Sequence, residues 1–128
     1  MSHIATYATS MTSLKMIEAA CVRMGLTFLR GQKTAQFYKS QQTACEHAIG
    51  IPHSSFQVGI VRNPDKTYAL LMDTYDTTLR TAMGTNGKGF LRQYALASAI
   101  AEVSRHPRMH ITETPLKNGN IRLQCVQR

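Results

Sequence analysis

Two segments with helical periodicity, lying far apart in the chain, constrain most strongly what this sequence can fold into. In the first segment, apolar residues recur at the spacing of one helix face: Leu14, Ile17, Cys21 and Met24. Ser13 stands at the expected N-cap, because its hydroxyl can accept from a free backbone amide of the first turn. Gly25 stands where helices commonly finish in a left-handed conformation. The pattern therefore predicts an amphipathic helix.

The second helical segment is predicted from about Phe90 to Arg105, where His106-Pro107 ends it. Its apolar residues also fall near one face: Phe90, Tyr94, Ala97, Ile100 and Val103. The preceding segment, Gly84 to Gly89, has the composition of a flexible connector. The alternative is a phosphate cradle at the helix start beside Lys88, although the loop lacks the Gly-Lys-Ser/Thr ending of a Walker loop.

The other apolar stretches are short and typical of β-strands. They are His3–Ala8, Leu26–Leu29, Ser55–Val61, Thr67–Asp73, Met109–Thr114 and Asn120–Val126. The segment Cys45–Ile51 ends at Pro52, which cannot donate to a central ladder. Turn residues at Asn63–Lys66 and Lys117–Gly119 predict two hairpins, and the polar stretch from Arg30 to Thr43 is interpreted as a loop or loose hairpin. The order β-α-β-β-β-α-β-β excludes a doubly wound parallel fold. It predicts an α+β fold, broadly ferredoxin-like, with two helices packed on one face of a mostly antiparallel sheet.

The composition indicates one basic globular domain, residues 1–128. The chain has 128 residues and 43% hydrophobic residues, which suffice for a core of its own. Fifteen Lys and Arg against seven Asp and Glu give a formal net charge of +8. A positive field of this kind favours nucleic acid, an acidic protein partner or anionic lipid, and the alternative is that the charge only maintains solubility.

The cysteines and the first residues indicate a cytoplasmic protein. Cys21, Cys45 and Cys125 are odd in number and widely spaced, which favours free thiols in a reducing compartment. The opening Met1–Ile4 lacks the features of a signal peptide, and no apolar run reaches the length of a membrane span. We therefore expect no membrane partner.

Pieces of the sequence also resemble a known family. They are Met1–Tyr7 with the helix Leu14–Gly25, then Gln93–Ala95, and the closing Gly119–Leu123 with Gln127-Arg128. In order and spacing they are similar to the hypothetical chloroplast reading frame thirty-five family, small proteins of unknown function encoded in plastids, cyanobacteria, other bacteria and some phages. The resemblance implies a non-enzymatic accessory protein, in the host cytoplasm if phage-encoded or the stroma if plastid-encoded. Family members often carry aromatic residues, including Trp, after the aspartate that matches Asp73, whereas this chain has Tyr75 and no Trp.

One stretch interleaves cations with aromatic rings, the combination that binds single-stranded nucleic acid by charge and stacking. Its residues are Arg30, Lys33, Phe37, Tyr38 and Lys39. Further candidate contacts are Lys88 and Arg92 at the second helix, and Arg105, Arg108, Lys117 and Arg122 from the helix end onto the last hairpin. The alternative is a solvated loop with ordinary surface arginines.

The signals for chemistry are weak. Cys45 with His47 or His53 is the one nucleophile and base pair close in sequence, and activation would require a lowered thiol pKa. His106 and His110 lie four apart, but Pro107 between them breaks the helix that would align two metal ligands. Asp73 and Asp76 sit at a strand end, where acids usually serve turns. We expect no enzyme activity, no metal and no cofactor.

The sequence therefore predicts a non-catalytic accessory binding module that contacts nucleic acid or a nucleoprotein complex through a basic surface. The alternative is a protein-interaction adaptor, serving an ATPase or a larger assembly, that does not bind nucleic acid directly.

Overall fold

A computed structural model of the chain describes residues 4–37, 42–106, 108–117 and 120–127. The helices are α1 (Leu14–Met24), α2 (Thr77–Met83) and α3 (Lys88–Ser104). The strands are β1 (Ile4–Ala8), β2 (Thr27–Leu29), β3 (Thr34–Gln36), β4 (Gln42–Ala44), β5 (His47–Gly50), β6 (Gln57–Arg62), β7 (Tyr68–Asp73), β8 (Met109–Pro115) and β9 (Ile121–Gln127). The predicted α+β class is confirmed.

A five-stranded antiparallel sheet with the order β1-β7-β6-β5-β2 forms the centre of the fold. Strands β6 and β7 are joined by the predicted turn, in which Asp65 accepts from the backbone amide of Thr67 at 3.0 Å and Lys66 adopts a left-handed conformation with φ of 71°. The first strand, β1, pairs with β7 and not with its neighbour in sequence, so β1 and β2 lie at opposite edges of the sheet.

Helix α1 begins and ends where the sequence predicts. The Ser13 hydroxyl accepts from the Met16 amide at 3.3 Å, and Gly25 has φ of 71°. Ile17 and Cys21 of the predicted stripe are fully buried. The capping residues give partners to the backbone groups at the ends of α1, and the apolar stripe buries its inner face, so both features stabilise the helix.

The helix-covered face of the sheet holds the larger part of the core. Alternate residues of β6 and β7, such as Ile60 and Leu70, point to this face and pack with Ile17 of α1, Leu79 of α2 and Phe90 of α3. All five are at most 1% exposed. The period of two along each strand explains why these residues share one side.

The opposite face is covered by the β3–β4 hairpin. Ala35, Phe37, Cys45 and Ala48 form a second buried cluster there, and Leu71 of β7 packs against it. Part of the polar stretch that was interpreted as a loop or loose hairpin is therefore a hairpin that closes the sheet from this side.

Helix α2 was not predicted, and it occupies part of the sequence between β7 and the glycine-rich segment. Asp76 caps it by accepting from the Leu79 amide at 3.1 Å, and Leu79 and Met83 bury its inner face. The segment interpreted as a flexible connector contains a 3₁₀ turn, Thr85–Gly87, in place of a free loop.

The chain divides into two compact units, of which the first ends at Tyr94 and the second begins at Ala95, inside α3. In the second unit β8 and β9 pair as a separate antiparallel sheet from Met109↔Gln127 to Pro115↔Ile121. The predicted closing hairpin is therefore present but does not join the central sheet, and the residues predicted for its tip, Asn118 and Gly119, lie outside the described part.

Candidate nucleic-acid interface

The predicted basic segment begins at the edge of the central sheet. Strand β2 is an edge strand that ends at Leu29, and Arg30 and Gly31 form the turn that follows it. Cys45 donates its backbone amide to the carbonyl of Lys33 at 2.8 Å, which ties the end of this turn to the approach to β5. Arg30 and Lys33 are both exposed, so the structure presents two cations at one sheet edge.

Two aromatic rings lie beside these cations. The guanidinium carbon of Arg30 is 5.4 Å from the centroid of the Phe28 ring, within the range of a cation–π contact. The Phe28 and His47 rings are 5.8 Å apart with a tilt of 32°. We call the group Phe28, Arg30, Lys33 and His47 the basic-aromatic edge.

His47 holds the turn in place through one ring nitrogen. Its Nδ1 accepts the backbone amide of Gly31 at 2.8 Å, which leaves the proton of the neutral ring on Nε2. Burial lowers the pKa of the imidazole from its ordinary value, and the positive charges of Lys33 and Arg30 lower it further. The ring is therefore a neutral hydrogen-bonding group at pH 7 that feels the charges of two cations.

Arg30 also forms an ion pair with Glu18 of α1 at 3.4 Å. The two side chains are 55% and 50% exposed, so solvent screens the pair and its contribution to stability is at most about 1 kcal/mol. A phosphate group could therefore replace this carboxylate at small cost.

Phe37, predicted as a stacking ring, is not available for stacking. It is 1% exposed and belongs to the buried cluster under the β3–β4 hairpin, because this small hairpin needs a large apolar side chain to cover the sheet. The predicted interface residues Tyr38 and Lys39 lie outside the described residues. Phe28 and His47 supply the rings at the described edge in place of Phe37.

The other predicted cations are divided between the two units and are described within each unit. Lys88 and Arg92 are exposed and lie one turn apart on α3. In the second unit, Arg108 precedes β8 while Lys117 and Arg122 are near the far end of the hairpin, about 20 Å away by strand rise. Arg105 is paired with Glu102 at 3.1 Å.

No activated nucleophile is assembled around Cys45. Glu46 donates its amide to the Ile60 carbonyl at 2.8 Å, and His47 also pairs with Ile60. Two residues thus oppose one, as in a β-bulge. The bulge turns Cys45 into the cluster under the hairpin and His47 toward Phe28, whereas residues two apart on a regular strand would share one side. Burial raises the pKa of the Cys45 thiol, which opposes formation of the thiolate.

The two aspartates after β7 serve the local backbone. Asp73 is fully buried and accepts from the Tyr75 amide at 3.0 Å, and Asp76 caps α2.

Within the described part of the chain, three or more His, Cys, Asp or Glu side chains nowhere gather as a metal site would require. No described helix combines the length and apolar character that a membrane crossing demands.

The residues that the sequence analysis missed, Phe28 and His47, gave only a faint signal. Phe28 is an ordinary strand aromatic, and His47 becomes its neighbour only through pairing of β2 with β5.

Searches for related proteins found no matching family model, no matching curated protein and no matching solved structure.

Proposed function

We propose that this protein is a non-catalytic accessory binding module that contacts nucleic acid, free or within a nucleoprotein complex, through its basic surface. The basic-aromatic edge is the described part of that surface that we assign to the contact. The observation that carries the proposal is the placement of Arg30 on the Phe28 ring beside Lys33 and His47 at an exposed sheet edge. Cations and ring faces in this arrangement match the phosphates and bases of a single strand.

The charge distribution supports the same proposal. All thirteen Lys and Arg residues that the structure describes are exposed, whereas several carboxylates are engaged within the chain, as Asp73, Asp76 and Glu102 show. The outward field is therefore positive, which attracts polyanions. The resemblance to the hypothetical chloroplast reading frame thirty-five family implies the same non-enzymatic accessory role.

The experiment measures binding of fluorescently labelled single-stranded RNA and DNA by anisotropy from low to physiological salt. The test variant carries Arg30→Gln and Lys33→Gln together. The matched control carries Lys15→Gln and Arg62→Gln, which removes the same charge from exposed positions outside the edge.

We expect the test variant to bind about tenfold more weakly than the control, because it loses the two cations that contact phosphates at the edge. The slope of the logarithm of affinity against the logarithm of salt concentration should also become shallower, by about 0.7 for each lost phosphate contact. Equal losses in both variants would show that net charge alone attracts the strand and would contradict the assigned surface. An absence of binding at low salt would refute the proposed function.

The second candidate is a protein-interaction adaptor. The position of β1 favours it, because β1 is an edge strand of the central sheet and pairs only with β7 among the described strands. An edge of this kind can accept a strand from a partner. The adaptor predicts capture of one partner that persists at moderate salt and is lost when Thr6→Pro blocks the edge, with oligonucleotide binding absent.

A further inference from the structure

A cleft of about 700 Å³ opens in the first unit between α2, the 3₁₀ turn and the ends of β1 and β7. It lies apart from the basic-aromatic edge in sequence and uses none of the same residues. Cavities of this volume hold ligands the size of a nucleotide.

One wall of the cleft is cationic and polar. Arg80 lines it and donates from Nη2 to the Thr77 hydroxyl at 3.2 Å, which holds the guanidinium on this wall. Thr81, Thr85 and Asn86, whose side chains carry hydroxyl and amide groups, line the cleft as well. These groups are the donors that a phosphate oxygen accepts from, and a guanidinium binds phosphate with paired donors.

Acidic groups do not neutralise this wall. Among the described residues that line the cleft, none carries a carboxylate. The aspartates nearest in sequence accept backbone amides elsewhere, Asp73 from Tyr75 and Asp76 from Leu79. The described structure gives Arg80 no carboxylate partner. Arg80 is exposed and lines the cleft, so its charge is available to an anion that enters the cleft.

The other wall is apolar and aromatic. Tyr7 of β1 is half-buried there and packs against the core that contains Met72 of β7 and Leu79 of α2, which are themselves 2% and 1% exposed. A ligand that carries a flat or apolar group beside its phosphate fits both walls, whereas inorganic phosphate would use only the polar one.

The floor under the 3₁₀ turn is held by close packing. A Cβ on Gly87 would lie 3.1 Å from Leu70 and 3.4 Å from Met72, so the turn rests directly on the sheet. Asn86 has φ of 55°, a left-handed conformation that asparagine tolerates better than most residues. The cleft wall is therefore preorganised, which limits the entropy lost on binding.

From this geometry we infer that the cleft binds a small phosphate ester of nucleotide size, with its phosphate on Arg80 and the threonine hydroxyls and its apolar or ring portion on Tyr7. The site goes beyond the proposed nucleic-acid contact and does not depend on it. The phosphate belongs either to a free nucleotide or to the phosphorylated end of a strand, since both present the same chemistry.

The test is calorimetric titration of the full chain with adenosine 5′-monophosphate, adenosine and inorganic phosphate, together with an oligonucleotide that carries or lacks a 5′-phosphate. The variants are Arg80→Gln, which removes the charge, and Thr77→Val, which releases its orientation. Arg62→Gln is the matched control, because Arg62 is also exposed but does not line the cleft.

We expect the monophosphate to bind more tightly than adenosine or phosphate alone, and Arg80→Gln to weaken it about tenfold while Arg62→Gln has no effect. Binding of only the 5′-phosphorylated strand, with the same dependence on Arg80, would support the site and assign the phosphate to a strand end. Undetectable binding of every phosphate ester at millimolar concentration, or equal affinity in the folded Arg80→Gln variant, would overturn the inference.

Discussion

The phenolic oxygen of Tyr94 accepts the backbone amide of Ser13, the residue that caps α1, at 3.1 Å. It also accepts the Thr12 amide at 3.1 Å. A side chain of α3 therefore fixes the segment that leads into α1, and two elements far apart in sequence are joined at the point where a helix begins.

Replacing Tyr94 with phenylalanine removes this acceptor. We expect Tyr94→Phe to lower the free energy of unfolding by about 1 kcal/mol, because two amides lose a partner but remain close enough to solvent to be hydrated. Urea unfolding followed by circular dichroism measures the change. Oligonucleotide affinity should stay the same, and an unchanged unfolding midpoint would show that water replaces the hydroxyl without cost.

Two glycines with similar φ but different ψ angles, 23° at Gly25 and 167° at Gly84, should differ sharply in their tolerance of alanine. Gly25 has φ of 71° with open space around a Cβ, whereas Gly84 has φ of 79° and its Cβ would lie 2.5 Å from the Gly89 nitrogen. Gly25→Ala should lower the free energy of unfolding by about 1–2 kcal/mol through its left-handed angle alone. Gly84→Ala adds a backbone clash and should lower it by about 3 kcal/mol or more. If both variants lost the same free energy of unfolding in urea, the backbone around Gly84 and Gly89 would have to move apart at little cost, which would contradict this prediction.

Phe37 should contribute to the stability of the fold and not to the binding of oligonucleotides. Because its ring is 1% exposed, Phe37→Leu should lower the free energy of unfolding by about 1 kcal/mol, and Phe37→Ala by about 3–5 kcal/mol. Thermal unfolding measures both variants. The Phe37→Leu protein, once folded, should bind oligonucleotides like the parent. A folded Phe37→Leu variant with weaker binding would contradict the buried position of the ring.

If the basic-aromatic edge binds nucleic acid as proposed, Glu18 should compete with phosphate for Arg30. Glu18→Gln removes the carboxylate at 3.4 Å from the guanidinium, and we expect oligonucleotide affinity to rise about two- to fivefold at low salt. Glu102→Gln, which frees Arg105 in the second unit, is the control that removes the same charge elsewhere. If both variants gained equally, the effect would come from net charge and not from the basic-aromatic edge.

Stability should decline on mild acidification through His47. The folded protein holds the imidazole pKa below its ordinary value of 6.5, so the unfolded chain takes up the proton first as the pH falls. The stabilisation from the neutral ring is therefore present above pH 6.5 and is lost as the pH falls through the lowered folded pKa. His47→Asn keeps an acceptor for the Gly31 amide and removes the titration, so this part of the pH dependence should disappear. Unfolding midpoints from pH 7.5 to 5 measure it, and identical profiles for parent and variant would contradict this role.

Much of the fold was predictable because local signals and long-range packing agree. The Ser13 cap, the α1 stripe and the Asn63–Lys66 turn each depend on residues close in sequence. Helix α2 was missed because its single turn of apolar residues, Leu79 and Met83, is too short to show a period, although Asp76 and Gly84 flank it as cap residues do.

The candidate sites were less predictable, because each combines elements that meet only in space. Arg30 and Lys33 were identified from a stretch of cations interleaved with aromatic residues, but Phe37 of that stretch is buried. Phe28 lies only two residues from Arg30, whereas His47 joins the edge through the pairing of β2 with β5. The Arg80 cleft needs β1 beside β7, a pairing between the start of the chain and its middle. No pattern within a short window carries that information.

The sequence by itself determined the α+β class, the caps of α1, the turn between β6 and β7 and the positive charge, since these follow from local backbone preference, hydrophobic period and residue counts. Tertiary structure decided that Phe37 is buried, that a bulge at Glu46 parts Cys45 from His47, and that Arg80 faces a cleft. The physical reason is that exposure and proximity depend on which surfaces bury each other, and burial is a property of the whole packed chain.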